Sequence, residues 1–169
     1  MRGRQLSKAL RRLLPIFSAF VCSLLGFAVE AAARDRTAEC GPWKFAVDGP
    51  LPEEPAPAAF LPCRGENALV VTCLAGDFIA SLRYFDGVTE AGYRPLRFDV
   101  DGQVYEMWMT LEAIDNALTG HTEFLHPLLQ GIRKGQKLTV VDVKRRSTDV
   151  LPLRGSGAAF TQLLARCGR

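Results

Sequence analysis

Apolar and polar residues alternate along most of this chain at the two-residue period that sends side chains to opposite faces of a β-strand. "WKFAVDG" (43–49) reads as a first short strand. "ALVVTC" (68–73) and "DFIASLRYF" (77–85), separated by "LAG", read as a hairpin. "RPLRFDV" (94–100) and "QVYEMWMT" (103–110) alternate on either side of Asp101-Gly102, with Leu96, Phe98 and Val100 sharing one face. "KLTVVDV" (137–143) and "DVLPLRG" (149–155) flank "KRRST", and Pro152 suggests an edge place for the second of them. "PLPEEPAPAAFLP" (50–62) is rich enough in proline to be expected as an extended, irregular loop. "LEAIDNALTGHTEF" (111–124) fits neither helix nor strand cleanly.

The period changes twice. His126 is placed to cap a helix with Pro127 in its first turn, running through "PLLQGIRK" to a stop at Gly135. In "GSGAAFTQLLARC", Phe160, Leu163, Leu164 and Cys167 fall at i, i+3, i+4 and i+7, one face of a closing helix with Ser156 as its expected cap. The sum is about seven strands and a clear terminal helix. The expected fold is therefore mainly β: a single β-sandwich or strongly curved antiparallel sheet, with a short internal helix and a C-terminal helix.

The N-terminus reads as an address. Arg2, Arg4, Lys8, Arg11 and Arg12 precede an apolar run from Leu13 to Val29, and Ala31-Ala32-Ala33 supplies small residues for cleavage. The cut is expected after Ala33. An uncleaved anchor is the alternative, but the run is short and interrupted by Pro15. The expected organisation is a signal peptide over 1–33, a strand and Pro-rich segment over 34–67, and a β-rich core with C-terminal helix over 68–169, the last two forming one domain. Five basic residues and Glu30 leave with the signal, so the 21 Lys and Arg and 18 Asp and Glu of the whole chain become 16 and 17. The mature charge is then about −1, which removes the case for nucleic-acid binding by a basic surplus. After cleavage no membrane span remains, and the expected location is the periplasm or exterior of a Gram-negative bacterium.

Export changes the reading of the cysteines. Cys22 leaves with the signal, and Cys40, Cys63, Cys73 and Cys167 remain, an even count that predicts two disulfides with three possible pairings. Cys167 points with Phe160 and Leu163 toward whatever the helix packs on, and Cys73, in phase with Leu69 and Val71 on a strand, is its best partner. Cys40 then pairs with Cys63. No spacing is C-x-x-C and both histidines lie far off in sequence, so neither a metal site nor a cofactor is expected.

Little else has the pattern of chemistry. Asp99, Asp101, Gly102 and Glu106 superficially suggest a calcium loop, but the residues after Asp101 alternate as a strand instead of offering oxygen ligands at every second position. An Asp-Gly pair between two alternating runs is the signal of a two-residue hairpin turn. His121 and His126 are the only histidines and stand five apart, off the i, i+4 spacing of a helical metal pair. Ser156 lacks the G-x-S-x-G frame of a nucleophile elbow, because position 154 is Arg. No catalytic residue is assigned. Tyr84, Tyr93, Tyr105, Trp43 and Trp108 are candidates for a ligand groove, against the commoner reading as cross-strand pairs. "VYEMWMT" has little charge, and an exposed outer face there would offer an edge to another chain. The candidate binding residues are therefore Tyr105 and Trp108 on that strand, with Lys144, Arg145 and Arg146 at a basic hairpin tip.

"ALVVTC", "RFDVDGQVYEMW", "LLQGIRKGQKLTV" and "LRGSGAAFTQLLARC" together resemble two related groups of small exported bacterial proteins, the invasion-associated locus B family and the periplasmic accessory family associated with type VI secretion. Leu153, Gly155, Phe160, Leu163 and Cys167 stand at the places of the shared ending, and the likeness covers 68 to 167. It implies a periplasmic or envelope protein without enzymatic chemistry. The leading expectation is a non-enzymatic, disulfide-stapled exported envelope protein that binds another protein or envelope component, with an envelope or secretion-machinery protein as the expected partner. The alternative is a small periplasmic ligand-binding protein or hydrolase using His121 or His126 with Glu123 or Asp115.

Overall fold

The Asp-Gly pair anchors the longest hairpin of the fold. Asp101 and Gly102 have φ of 50° and 92°, the two positive values that a type I′ turn demands and that few side chains tolerate. The turn joins β6 (Tyr93–Val100) to β7 (Gln103–Glu112), paired from Val100↔Gln103 out to Tyr93↔Thr110. Asp99 accepts a hydrogen bond from the Gly102 N–H at 2.7 Å. The Asp101 carboxylate accepts from the N–H groups of Gln136 (2.8 Å) and Lys137 (3.0 Å). Both carboxylates are thus engaged with backbone, Asp99 inside the turn and Asp101 pinning the hairpin to the segment at Gln136 and Lys137.

The computed structural model describes residues 33–51, 55–74, 79–85, 87, 91–114 and 116–167. Its remaining elements are β1 (Arg34–Asp35), β2 (Lys44–Ala46), β3 (Ala58–Cys63), β4 (Glu66–Cys73), β5 (Ile79–Tyr84), β8 (Ala117–Glu123), α1 (Pro127–Lys134), β9 (Lys137–Asp142), β10 (Ser147–Pro152) and α2 (Ser156–Cys167). The ten strands form one strongly curled, half-barrel sheet in the order β1-β10-β9-β6-β7-β8-β5-β4-β3-β2, antiparallel except for β1 beside β10. The curved-sheet expectation, with an internal and a C-terminal helix, is the architecture found.

Alternation decides what lies inside the curl. Leu69, Val71, Leu82, Leu96, Phe98, Met109, Leu138, Val140 and Leu151 are all buried in one continuous core. Leu128, Leu129 and Ile132 of α1 and Ala159, Phe160 and Leu163 of α2 close it. Val70, one step out of phase on β4, joins Leu51 and Ala58 in a second, smaller cluster on the opposite face.

Several local expectations need correction. The Pro-rich stretch contains β3, because Ala58 to Leu61 follow the prolines with apolar residues that pair with β4, and the register shifts between Leu61 and Pro62. Pro62 therefore sits where the ladder is already irregular. β10 is not the edge: β1 pairs with it at Asp149 and Val150, which leaves Pro152 beyond that two-residue match. Ser156 is the first helical residue, not the cap, and its hydroxyl donates to the Arg133 carbonyl at 3.5 Å. The entry to α2 belongs to Gly155, with φ of 88°, where a side-chain carbon would stand 3.2 Å from the Trp43 carbonyl oxygen. His126 does cap α1, its Nδ1 accepting from the Leu128 N–H at 3.2 Å.

Both disulfides are present, joining Cys40 to Cys63 with Cα atoms 3.9 Å apart and Cys73 to Cys167 at 5.7 Å. Two such bridges suit an oxidising compartment, extracellular or periplasmic. No helix among the described residues is long and apolar enough to cross a membrane.

Candidate functional site

β7 is ten residues long, yet its pairing to β8 covers only Thr110↔Thr119, Leu111↔Leu118 and Glu112↔Ala117. From Met109 back to Gln103 the strand pairs, among the described residues, with β6 alone. Inside the split, Met107 and Met109 crowd against Gly120, where an added side-chain carbon would lie 2.7 Å from the Met107 sulfur. α1 covers Tyr105 from the same side: a carbon on Gly131 would stand 3.5 Å from the Tyr105 hydroxyl. Met107 and Met109 therefore fill the core side of the split, while Val104, Glu106 and Trp108 are exposed on the other face of the strand.

The turn geometry says which backbone groups the split leaves open. In a two-residue hairpin the residues flanking the turn exchange both hydrogen bonds, so Val100↔Gln103, Phe98↔Tyr105, Leu96↔Met107 and Arg94↔Met109 are the bonded pairs. The N–H and C=O groups of Val104, Glu106 and Trp108 point the other way, toward the split. Their side chains are on the outer face, with Val104 60% and Trp108 51% exposed. Trp108 stacks on Tyr93, itself 64% exposed, with ring centroids 4.9 Å apart and planes 23° from parallel. Glu106 lies between the two apolar side chains, 3.7 Å from Arg97 across the hairpin. Amide exchange tests this split: Val104, Glu106 and Trp108 should exchange on the order of 100-fold faster than Tyr105, Met107 and Met109 in the same strand. Uniform protection along β7 would mean that the edge is closed.

The other sequence candidates lie apart from this edge. Lys144, Arg145 and Arg146 form the exposed turn between β9 and β10, which Asp142 organises by accepting from the N–H groups of Lys144 (2.9 Å) and Arg145 (3.0 Å). His121 is exposed on β8, two residues from the exposed Glu123, while the Nδ1 of His126 is engaged as the α1 cap. Asp115 lies outside the described residues. Among the described residues no three His, Cys, Asp or Glu side chains gather as a metal site.

Missed in the sequence is a buried ionic group. Arg94 is in phase with Leu96 and Phe98, Asp142 with Leu138 and Val140, and Asp149 with Leu151, so all three point into the curl. Arg94 and Asp142, each 1% exposed, meet at 3.2 Å. Asp149 accepts from the Tyr84 hydroxyl at 2.8 Å and faces Arg36 at 3.6 Å. Arg36, 1% exposed, also donates to Glu66 at 3.0 Å and to the Phe85 carbonyl at 3.4 Å. Beside it, the Thr37 hydroxyl (2.6 Å) and N–H (2.9 Å) both donate to Asp35 and hold that carboxyl below its ordinary pKa. The signal was available: a charged residue in the core phase of a strand announces a buried partner.

This group fastens the start of the chain. Arg36 donates its N–H to the Val150 carbonyl at 2.9 Å, the Cys40 and Gly41 segment then meets Cys63 and Pro62 of β3, and the Trp43 N–H donates to the Arg154 carbonyl at 2.9 Å. Residues 34–46 thus strap the β10 end of the sheet to the β3 end. No protein-family model, no curated protein and no solved structure matches the chain.

Proposed function

We propose that this chain is an exported, non-enzymatic binding protein that takes an extended segment of an envelope or secretion-machinery protein at the open edge of β7. The carrying observation is the row at Val104, Glu106 and Trp108, whose backbone groups face away from β6 and meet no strand partner among the described residues, bordered by an exposed Tyr93–Trp108 stack. A strand edge of this kind is the template on which a second chain adds, main-chain bonds giving affinity and alternate side chains specificity. Two disulfides and a strapped sheet make a rigid frame for it, and they suit an oxidising periplasm or exterior. The His126 ring is committed to capping a helix, which favours binding over acid–base chemistry.

A photo-crosslinking residue at Val104, compared with one at Lys144 on the basic tip, tests the reading in intact cells that make the protein. The expected result is an adduct from position 104 to one contiguous extended segment of a single envelope protein, lost in a Glu106→Pro chain. The Glu106 N–H faces the split, so proline there removes a donor to the incoming strand without removing a β6 ladder bond. Adducts only from position 144, or adducts that survive Glu106→Pro, overturn it.

A further inference from the structure

The side chains along the open edge restrict what it accepts. We infer that the β7 edge takes an extended segment carrying a basic residue, set opposite Glu106, with apolar residues two positions away on each side; this rests on the strand-docking reading above.

The inference follows from cross-strand complementarity. An added strand puts its alternate side chains directly beside Val104, Glu106 and Trp108 on the outer face, where opposite charges and apolar pairs are favourable and like charges are not. The row reads apolar, acidic, aromatic, so the complement reads apolar, basic, apolar, the same in either strand direction. The surroundings add to the sign: Glu112 further along β7 and Glu123 on the facing arm of the split are both exposed carboxylates. Arg97 leaves Glu106 available, since a 3.7 Å contact between two half-exposed groups is a weak surface pair. It also approaches from the β6 side, away from the edge.

The same charge argues against a second copy of this chain as the occupant. The antiparallel register that engages all three open residues of two copies sets their two Glu106 carboxylates opposite each other. Arg97 of neither copy lies between them. An unlike chain with a cation at that place has no such conflict.

The test uses the mature, oxidised chain and a fluorescent heptapeptide, Thr-Val-Thr-Lys-Thr-Val-Thr, against the same peptide with Glu in place of Lys. The Lys peptide should bind about fivefold to tenfold more tightly by anisotropy, with the difference shrinking as salt is raised. Glu106→Gln should abolish the preference and Glu106→Lys should reverse it. The amides of Val104, Glu106 and Trp108 should gain exchange protection on binding. Equal affinity for the two peptides, with those amides protected, overturns the charge rule and leaves edge docking standing. Binding of neither peptide at millimolar concentration, or binding that leaves the three amides unprotected, overturns the site itself.

Discussion

Replacing Cys73 and Cys167 together by alanine is expected to lower the free energy of unfolding by about 4–5 kcal/mol, whereas replacing Cys40 and Cys63 should cost about 3 kcal/mol. The difference comes from the unfolded chain. The first bridge spans a sequence separation of 94 and the second one of 23, and the entropy withheld from the unfolded ensemble grows with the logarithm of the loop. A single domain has only about 5–15 kcal/mol to lose, so the Cys73/Cys167 variant should sit close to its unfolding transition at physiological temperature. Urea unfolding of the oxidised chain and the two variants measures both losses. Equal losses, or a larger loss at Cys40/Cys63, would show that holding the strap in the native state outweighs loop length.

The long bridge was readable because two independent periods converged on it. Cys167 follows Phe160 and Leu163 at helical spacing, Cys73 follows Leu69 and Val71 at strand spacing, and each pattern gives a cysteine a direction. The Asp101-Gly102 turn was readable for a similar reason, since few residue pairs accept two positive φ values. β3 escaped notice because prolines mask its four apolar residues, and those residues become a strand only when β4 offers them a ladder. That is tertiary context overriding local propensity.

The open edge was half legible. The low charge of "VYEMWMT" is visible in the residues, but the end of β7–β8 pairing at Thr110↔Thr119 is not, because it is set between segments that meet only in the folded sheet. The edge also carries its own protection. Glu106 in the middle of an exposed apolar row disfavours indiscriminate pairing between copies, as charged residues on natural sheet edges do.

Arg36→Met should destabilise the domain by about 3–5 kcal/mol, because it takes a buried cation away from a carboxylate that is itself only 6% exposed. Asp149 would keep the Tyr84 hydroxyl but lose the guanidinium at 3.6 Å, and Glu66 and the Phe85 carbonyl would lose their donor. A buried ion pair costs nearly as much to desolvate as it returns, so its removal as a pair differs from its breakage. The double variant Arg36→Met/Asp149→Leu should therefore recover a large part of the loss. The Cys40–Cys63 bridge keeps the strap tethered in both variants, which separates the electrostatic effect from simple detachment. Urea midpoints read the result, with the single variant expected to fall by about 1–3 M at unchanged slope. A loss below about 1 kcal/mol would put Arg36 with the surface ion pairs. A double variant less stable than the single one would mean that Asp149 works mainly through Tyr84, and that β5 rather than the strap is what the carboxylate holds.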